Sequence, residues 1–544
     1  MAFSISHLEG AEPTIQYLID MENKEYKNQI RAGVKPKQSS KPSALKVYNH
    51  DSDDEENDLL GAYVCITPKN DKKAASKLQH RTPDVTKTTT TFTPDSYSPL
   101  TTTKRSRVAE SVKSGNVVYT FGNFMASANE SRDHQQVTVK IAELKDGTQW
   151  INKDSKYMMI SAQDDGQLIS ERIFNIGKEI TKKILSAEGK TEELMLSHCD
   201  VMSHETVRCL GRIFCGGRGD KLDQKSAYFI GFDENKLRIV QLDFSKLKPS
   251  VQVFPGEVCI ISGTNPRGKI FYVTEIHSER MLENSSPSTS LTSPLHLMIA
   301  SGPFTADDNL LFEYLEKLLV NCQNNQPDVL ILTGAFLPMK SQLIFDVATE
   351  LDEHFQKILA GISERVGENT KVVIVSSSDD INSSACFPTH PYKVNKIRPF
   401  PNIFMAPDPS IIDINGVQIG ITSVDITQQL ADAEFCVNAG ADKTRRYINY
   451  LFHQMSFYPL FPPKIPTDIR LLHENGAINK IPNILVVPSD MKFYMRDFNN
   501  CLCVNPGRVM KDGLEGTIAR LVIKPTDEST KAANSWISGQ IIYI

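Results

Sequence analysis

Leu295-His296-Leu297-Met298-Ile299-Ala300-Ser301-Gly302-Pro303-Phe304, followed after a helical interval by Asp328-Val329-Leu330-Ile331-Leu332-Thr333-Gly334-Ala335-Phe336-Leu337-Pro338, decides the reading of this chain. Between the two runs, from about Asp308 to Cys322, Leu310, Leu311, Tyr314, Leu315, Leu318 and Leu319 recur at the three-to-four spacing of a buried helical stripe. Apolar runs that do not alternate, set between polar loops, are what strands covered on both faces require. A strand-helix-strand crossover pairs such strands in parallel. The loops past the carboxyl ends of parallel strands are where sites are built. Here those loops, Ser301-Gly302-Pro303 and Gly334-Ala335-Phe336, offer no carboxylate and no imidazole.

Working outward, further buried strands are expected at Lys371–Val375, Val417–Thr422 and Ile484–Val487, each ending in a polar loop. Ile411 to Ile419 reads as a hairpin turning on Asn415-Gly416. Strands at Cys501–Val504, Gly516–Ile523 and Ile537–Tyr543 close the chain. The expectation for residues 291–544 is therefore a layered α/β domain. On the amino-terminal side, five short strands lie between Thr206 and His277, with Pro255-Gly256 turning into the fourth. They fit a small Greek-key barrel of the OB type over 206–282. Phe214, Tyr228, Phe232, Arg212 and Arg218 are its candidates for stacking and contacting a single strand, but aromatics more often fill a barrel core, so a protein-binding or structural barrel is the preferred reading. Gly216-Gly217-x-Gly219 is no phosphate loop, because no Lys-Ser/Thr and no helix follow it.

Residues 115–205 read as a connecting segment, with a helix over about Gln167 to Leu185 whose Leu168, Ile169, Ile173, Ile176, Ile180 and Ile184 form one stripe. Glu283 to Ser290 reads as a low-complexity hinge. Residues 1–30 read as a helical stub. From 31 to 114, Lys, Ser, Thr, Pro and Asp dominate, and a chain of that composition cannot bury enough surface to offset its entropy; a disordered linker is expected. It carries an acidic run at Asp51–Asp58 beside Leu59-Leu60-Gly61-Ala62-Tyr63-Val64, a docking peptide or a solvated spacer. Four hydroxyls precede proline, at Thr67, Thr82, Thr93 and Ser98, as a proline-directed kinase requires. Lys104-Arg105-Ser106-Arg107 fits a nuclear import signal.

At 544 residues and 60.8 kDa, the chain has room for two or three domains, and 40% apolar content supports real cores. Mean hydropathy is −0.28, no apolar run has membrane-spanning length, and the start lacks a secretory pattern. The ten cysteines are scattered, several inside strands, as with free thiols in a reducing compartment. Cys501-x-Cys503 has no second pair at zinc-finger spacing. A net charge of −5 argues against nucleic-acid binding by the whole surface.

The succession from Gly115 onward resembles a calcineurin-like metallophosphoesterase domain and, more closely, the B subunits of DNA polymerase alpha. The resemblance rests on Pro255-Gly256-Glu257-Val258, Ser301-Gly302-Pro303-Phe304-Thr305 and Pro327 to Gly334. It extends through the Ser456-Phe457-Tyr458-Pro459-Leu460-Phe461-Pro462-Pro463 loop, Ile484 to Asp490, Cys503 to Arg508, and Gly516 to Leu521. Metallophosphoesterases hold two metal ions with Asp, His and Asn on loops after successive strands. By the resemblance, Asp-x-His falls on Ser301-Gly302-Pro303, and Gly-Asp-x-x-Asp on Gly334 to Pro338, with Ala335 and Pro338 at the carboxylate positions. Asp379 stands at the catalytic His, Ser423 at the lone His, and Ser489 and Met491 at the closing Gly-His-x-His, while Asn505-Pro506-Gly507 is retained.

The resemblance thus implies an inactive phosphoesterase with no cofactor and no catalytic residue. His296 and His390 read as packed or solvated. The function it implies is a non-catalytic accessory subunit of the DNA polymerase alpha–primase complex in the nucleus. Its partner would be the C-terminal region of the alpha catalytic subunit, with the primase subunits joined through the complex, indirect contact with DNA and none with a membrane. The alternatives are the small subunit of DNA polymerase delta, against which the Ser/Thr-Pro linker and Ser301 to Phe304 weigh, and an active phosphoesterase. Relatives of this kind usually start with a compact helical domain, for which residues 1–30 are too short.

Overall fold

The computed structural model describes residues 114–544 except 125–137, 145–149, 153, 190–193, 218–220, 234–235, 249, 287–290, 307–308, 342, 344–349, 394–399, 439 and 527–531. The expected stub, linker, phosphosites Thr67, Thr82, Thr93 and Ser98, basic cluster and Arg218 lie outside the described residues.

β1 (Val117–Phe121) and β2 (Ile141–Glu143) come first, then the long helix α1 (Ala162–Glu188). Next are β3 (Ser203–Cys215), β4 (Ala227–Gly231), β5 (Arg238–Asp243), β6 (Val251–Val253), β7 (Val258–Asn265) and β8 (Ile270–His277); all but β6 close a barrel in the order β3-β4-β5-β8-β7. The body then runs through β9 (Leu295–Ser301), α2 (Glu313–Asn325), β10 (Val329–Thr333), α3 (Leu351–Val366), β11 (Lys371–Val375) and β12 (Ile403–Ala406). It continues with β13 (Ser410–Ile414), β14 (Val417–Ile421), α4 (Ile426–Ala433), β15 (Phe435–Val437), α5 (Lys443–His453), α6 (Ile469–Asn475) and β16 (Ile484–Val486). Last are β17 (Tyr494–Phe498), β18 (Cys501–Asn505), the small hairpin β19 (Met510–Lys511) and β20 (Leu514–Glu515), β21 (Thr517–Ile523), α7 (Ala533–Trp536) and β22 (Ile537–Tyr543).

Two sheets face each other, one ordered β1-β22-β21-β9-β10-β11-β12 and the other β17-β18-β16-β14-β13-β2. Ile299, Ile331 and Val373 from the first meet Ile412, Ile419, Ile484 and Val504 from the second in one buried cluster. The alternate residues of the first sheet's strands, Met298, Leu330 and Ile374, pack under Leu318 of α2 and Leu359 of α3. Residues of the second sheet, Leu485 and Cys503, pack under Leu430, Ile448 and Leu472 of α4, α5 and α6. Successive side chains of a strand point to opposite faces, and here both faces are covered. That is why the runs are continuously apolar.

The Asn415-Gly416 turn has φ of 52° and 85°, the two positive angles that a two-residue hairpin needs. α1 begins on a capping box made by Ser161 and Asp164 and buries Ile173, Ile176, Ile180 and Ile184 against Leu210, Val258 and Ile260 of the barrel. At Gly177 a Cβ would lie 2.5 Å from Leu210, so helix and barrel approach more closely than a side chain allows.

Three expectations change. The helix expected from Asp308 starts at Glu313: the Asn309 side chain accepts the Leu311 amide at 3.0 Å, Phe312 is left-handed at φ 55°, and Leu311 is 71% exposed rather than in the stripe. The segment expected to connect supplies an edge strand to each sheet, β1 against β22 and β2 against β13. Those pairings lie hundreds of residues apart in the chain and leave no local signal. The expected hinge is held as far as Ser285, which exchanges backbone hydrogen bonds with Ile481 through Glu283 and itself.

Candidate functional site

The parallel strands of both sheets end on loops that meet at one end of the body. Ser301 closes β9 and is buried. Its Oγ accepts hydrogen bonds from the Thr333 hydroxyl at the end of β10, at 2.8 Å, and from Arg508 Nη1 beyond β18, at 2.9 Å. Arg508 Nε donates to Asp490 Oδ1 at 3.0 Å, so one guanidinium ties the loops after β9, β16 and β18 together. Beside it, Gly302 and Gly334 bring backbones into contact. A Cβ on Gly302 would lie 2.6 Å from the Ala335 carbonyl oxygen, and one on Gly334 would lie 2.4 Å from the Tyr392 hydroxyl and 2.9 Å from Ser377 Cβ. Beneath them Phe304 stacks on Phe336 at 4.7 Å and Phe355 meets Tyr392 at 4.8 Å.

Asp380 is buried under these rings and accepts from the amides of Phe336 (2.5 Å), Leu337 (3.2 Å) and Asn382 (3.2 Å) and from the Tyr392 hydroxyl (3.0 Å). Burial pushes its pKa up to about 6, although each of those donors pulls it down. Asp379 is exposed, its amide donating to Ser377 Oγ at 3.3 Å and its carbonyl accepting from Met339. Pro338 forms a backbone bridge with Asp380. Pro303 is half-buried.

The second sheet presents Ser423, whose hydroxyl donates to Asp408 Oδ2 at 2.5 Å and whose amide donates to Oδ1 at 3.1 Å. Asp408 follows β12, so this pair joins the two sheets. Burial raises its carboxyl to about 7 against the pull of the Ser423 and Thr422 hydroxyls. Ser489 donates its amide to Asn505 Oδ1 at 3.0 Å and accepts the Met491 amide at 3.1 Å. Asn505 also accepts the Gly507 amide at 2.9 Å. Met491 is half-buried against the helical core.

The singled-out positions thus gather at one end, each polar one bonded within the protein. Asp408 and Arg508 complete the arrangement and were not among the expected site residues. Asp408 had a usable signal: it follows Ile403-Phe404-Met405-Ala406, a short strand obscured by flanking prolines. Nothing local marked Arg508, because its partners lie 18 and 207 residues away. Among the described residues, no group of three or more His, Cys, Asp or Glu is placed to hold a metal ion. A cavity of about 330 Å³ opens beside Arg508, lined also by Met491, Lys492, Lys511 and Tyr543.

His296 lies in β9, with its pKa lowered by burial, and His390 bonds Ser384 through Nε2 at 2.9 Å. Cys501 and Cys503 are buried free thiols, and burial holds the Cys501 thiol well above its usual range.

Among the described barrel candidates, Arg212, Phe232 and Tyr228 take part in packing. The Arg212 guanidinium lies 3.9 Å over the ring of Phe461, and Phe232 stacks on Phe174 of α1 at 5.8 Å. The Tyr228 ring fills the space a Cβ on Gly216 would need, and Phe214 is half-buried. The barrel is joined to the body by further contacts. β6 pairs with β15, Phe461 N donates to Pro255 O at 3.0 Å, and Gln454 both donates to and accepts from the backbone of Val258 at 2.9 Å. Buried Glu434 receives Arg446 at 2.5 and 2.9 Å and the Tyr450 hydroxyl at 2.7 Å.

Residues 297–496 match the family model for the B subunit of DNA polymerases alpha and epsilon, and residues 167–279 match that for the OB domain of the DNA polymerase alpha B subunit. The chain is 34% identical over 582 aligned residues to the DNA polymerase alpha B subunit of Drosophila melanogaster, covering 99% of this chain and 92% of that protein. Identity to the B subunit of Rattus norvegicus is 26%, over 88% of this chain and 80% of the relative. For that of Schizosaccharomyces pombe it is 25%, over 70% and 69%. The closed barrel is thus an OB domain set against an α/β body, and the chain belongs to the family of DNA polymerase alpha B subunits.

Proposed function

We propose that this chain is the non-catalytic accessory subunit of a DNA polymerase alpha–primase complex. Its OB barrel (206–282) and an inactive calcineurin-like phosphoesterase body (291–544) form one platform. That platform docks the C-terminal region of the alpha catalytic subunit, holds the primase subunits through it, and supports the start of DNA replication in the nucleus. Phosphates on Thr67, Thr82, Thr93 and Ser98 would add negative charge along that stretch of chain.

The observation that carries the inactive reading is the Arg508 guanidinium seated 2.9 Å from Ser301 Oγ. It puts a fixed cation and a hydroxyl where the resemblance calls for the first metal-binding carboxylate, and that cation repels a divalent ion. Ala335 removes the bridging carboxylate, and Ser423 is committed to Asp408. The residues present do not fit a dinuclear centre.

Incubation of the purified chain with manganese and bis(p-nitrophenyl) phosphate tests this. The expected result is no turnover beyond that of the Asp379→Asn/Asp380→Asn double variant; turnover abolished in that variant would overturn it. Co-purification should recover the alpha catalytic subunit, and recovery of delta subunits instead would reassign the complex.

A further inference from the structure

The barrel carries a second surface, away from its seam with the body. Met195 is 90% exposed, Met202 72% and Leu237 69%, and Leu196, Val201 and Ile239 are exposed beside them. These six belong to two stretches that the fold holds together. The Cys199 thiol lies 3.8 Å from the Arg238 carbonyl oxygen, Asp200 takes a two-pronged ion pair from Arg238 at 2.8 and 2.9 Å, and Asn265 Nδ2 donates to Cys199 O at 2.9 Å. Arg238 also pairs with Asp233 at 2.5 Å, so its guanidinium is held by two carboxylates.

β5 runs parallel to β8 with Gln241 opposite Ile270, and the Gln241 amide donates to Lys269 O at 3.2 Å. That register sets Ile239 beside the Arg267-Gly268-Lys269 turn. Met202 reaches the same turn, its Cγ 3.3 Å from where a Cβ on Gly268 would stand. Met202 and Ile239 thus flank one turn, with Val201 and Leu237 close to them in the chain. Lys236, Arg267 and Lys269 are exposed at its rim.

Isolated exposed apolar residues are ordinary, but exposed apolar side chains that two stretches bring to one turn, rimmed by cations, mark an interaction surface. Its chemistry selects the partner. The patch holds no Phe, Tyr or Trp on which a base could stack, so a single-stranded nucleic acid lacks its main anchor. Methionine and leucine are the side chains that adapt to an amphipathic helix laid in a groove. The three rim cations, set beside an aspartate pair already satisfied by Arg238, complement an acidic partner. We propose that this face of the barrel docks an amphipathic, acidic helix of another protein, with its apolar side on Met202, Leu237 and Ile239 and its carboxylates toward Lys236, Arg267 and Lys269.

The test is selection of displayed 16-residue peptides against the full chain, followed by titration of the enriched peptides. The expected winners carry Leu, Ile or Phe at helical spacing with Asp or Glu between. Their affinity should fall at least tenfold on Leu237→Glu and on the Lys236→Glu/Lys269→Glu pair, and should weaken as salt rises. All these side chains are exposed, so the variants should keep the parent's circular dichroism and unfolding midpoint. Met339→Glu, on the body, serves as the control and should leave binding unchanged. Enrichment of no such peptide, or of peptides indifferent to Leu237→Glu, would overturn the proposal. So would tighter binding of oligo(dT) or of phosphatidylserine vesicles that the same variants abolish, since either would assign the face to a different class of partner.

Discussion

The strand-end cleft and the seam between barrel and body both bury polar groups, but of different kinds. In the cleft, hydroxyls and amides are satisfied by a hydroxyl, a carboxyl and an amide: Ser301 with Thr333, Ser423 with Asp408, Ser489 with Asn505. Its two buried carboxylates are pushed by burial toward their neutral forms. The seam keeps a full ion pair, Glu434 with Arg446, both side chains almost inaccessible, and a glutamine that imitates a strand partner for Val258. Charge out of water survives only where geometry compensates it. The body has placed that compensation where its parts join, and its cleft is held together by mostly uncharged groups with Arg508 as a latch.

The largest effect that could break this contrast is at the ion pair. Arg446→Met leaves Glu434 buried with only tyrosine hydroxyls, and should cost about 3–5 kcal/mol in urea unfolding. A neutral result would mean the seam does not depend on it. Gln454→Ala strips both backbone partners from Val258 and should cost about 1–3 kcal/mol, with faster amide exchange at Val258.

Acidity sharpens the cleft side. Folded Asp408 titrates near 7, whereas an unfolded aspartate titrates near about 3.9. Between those values the folded state holds a proton that the unfolded state releases, so unfolding free energy falls as pH rises. The contribution is whole only below about 4 and is lost by the time pH passes 7. In the cleft, Asp380, raised by burial to about 6, acts in the same direction, and at the seam Glu257, raised by burial to about 8, adds to it. Asp408→Asn should flatten this decline in urea titrations run from pH 5 to 8; an unchanged slope would place the titrating group elsewhere. Least of all, Asp379→Asn on the exposed rim should stay within about 0.5 kcal/mol of the parent.

The sheet cores were legible because their signal is local. Val329 to Thr333 and Lys371 to Val375 are strands as the apolar runs imply, and Asn415-Gly416 turns as its composition requires. The isoleucine stripe of α1 was legible too, although its face against Leu210 was not. What the residues did not disclose is long-range pairing. β6 finds β15 across some 180 residues, and each strand is only three residues long, too short for a period to show. Ser301, Ala335 and Ser423 were visible as letters, but the latch on the first of them was not. An arginine beyond β18 carries no mark of the serine it will meet.

The pairing of β1 with β22 has a mechanical consequence. Gly115 donates its amide to Tyr543 O at 2.9 Å, and the strands run antiparallel from there, Val117 opposite Ile542 and Phe121 opposite Gly539. Tension applied between Gly115 and Ile544 would pull on that rung first and peel the strands apart one rung after another, like a zipper, instead of loading all the rungs at once.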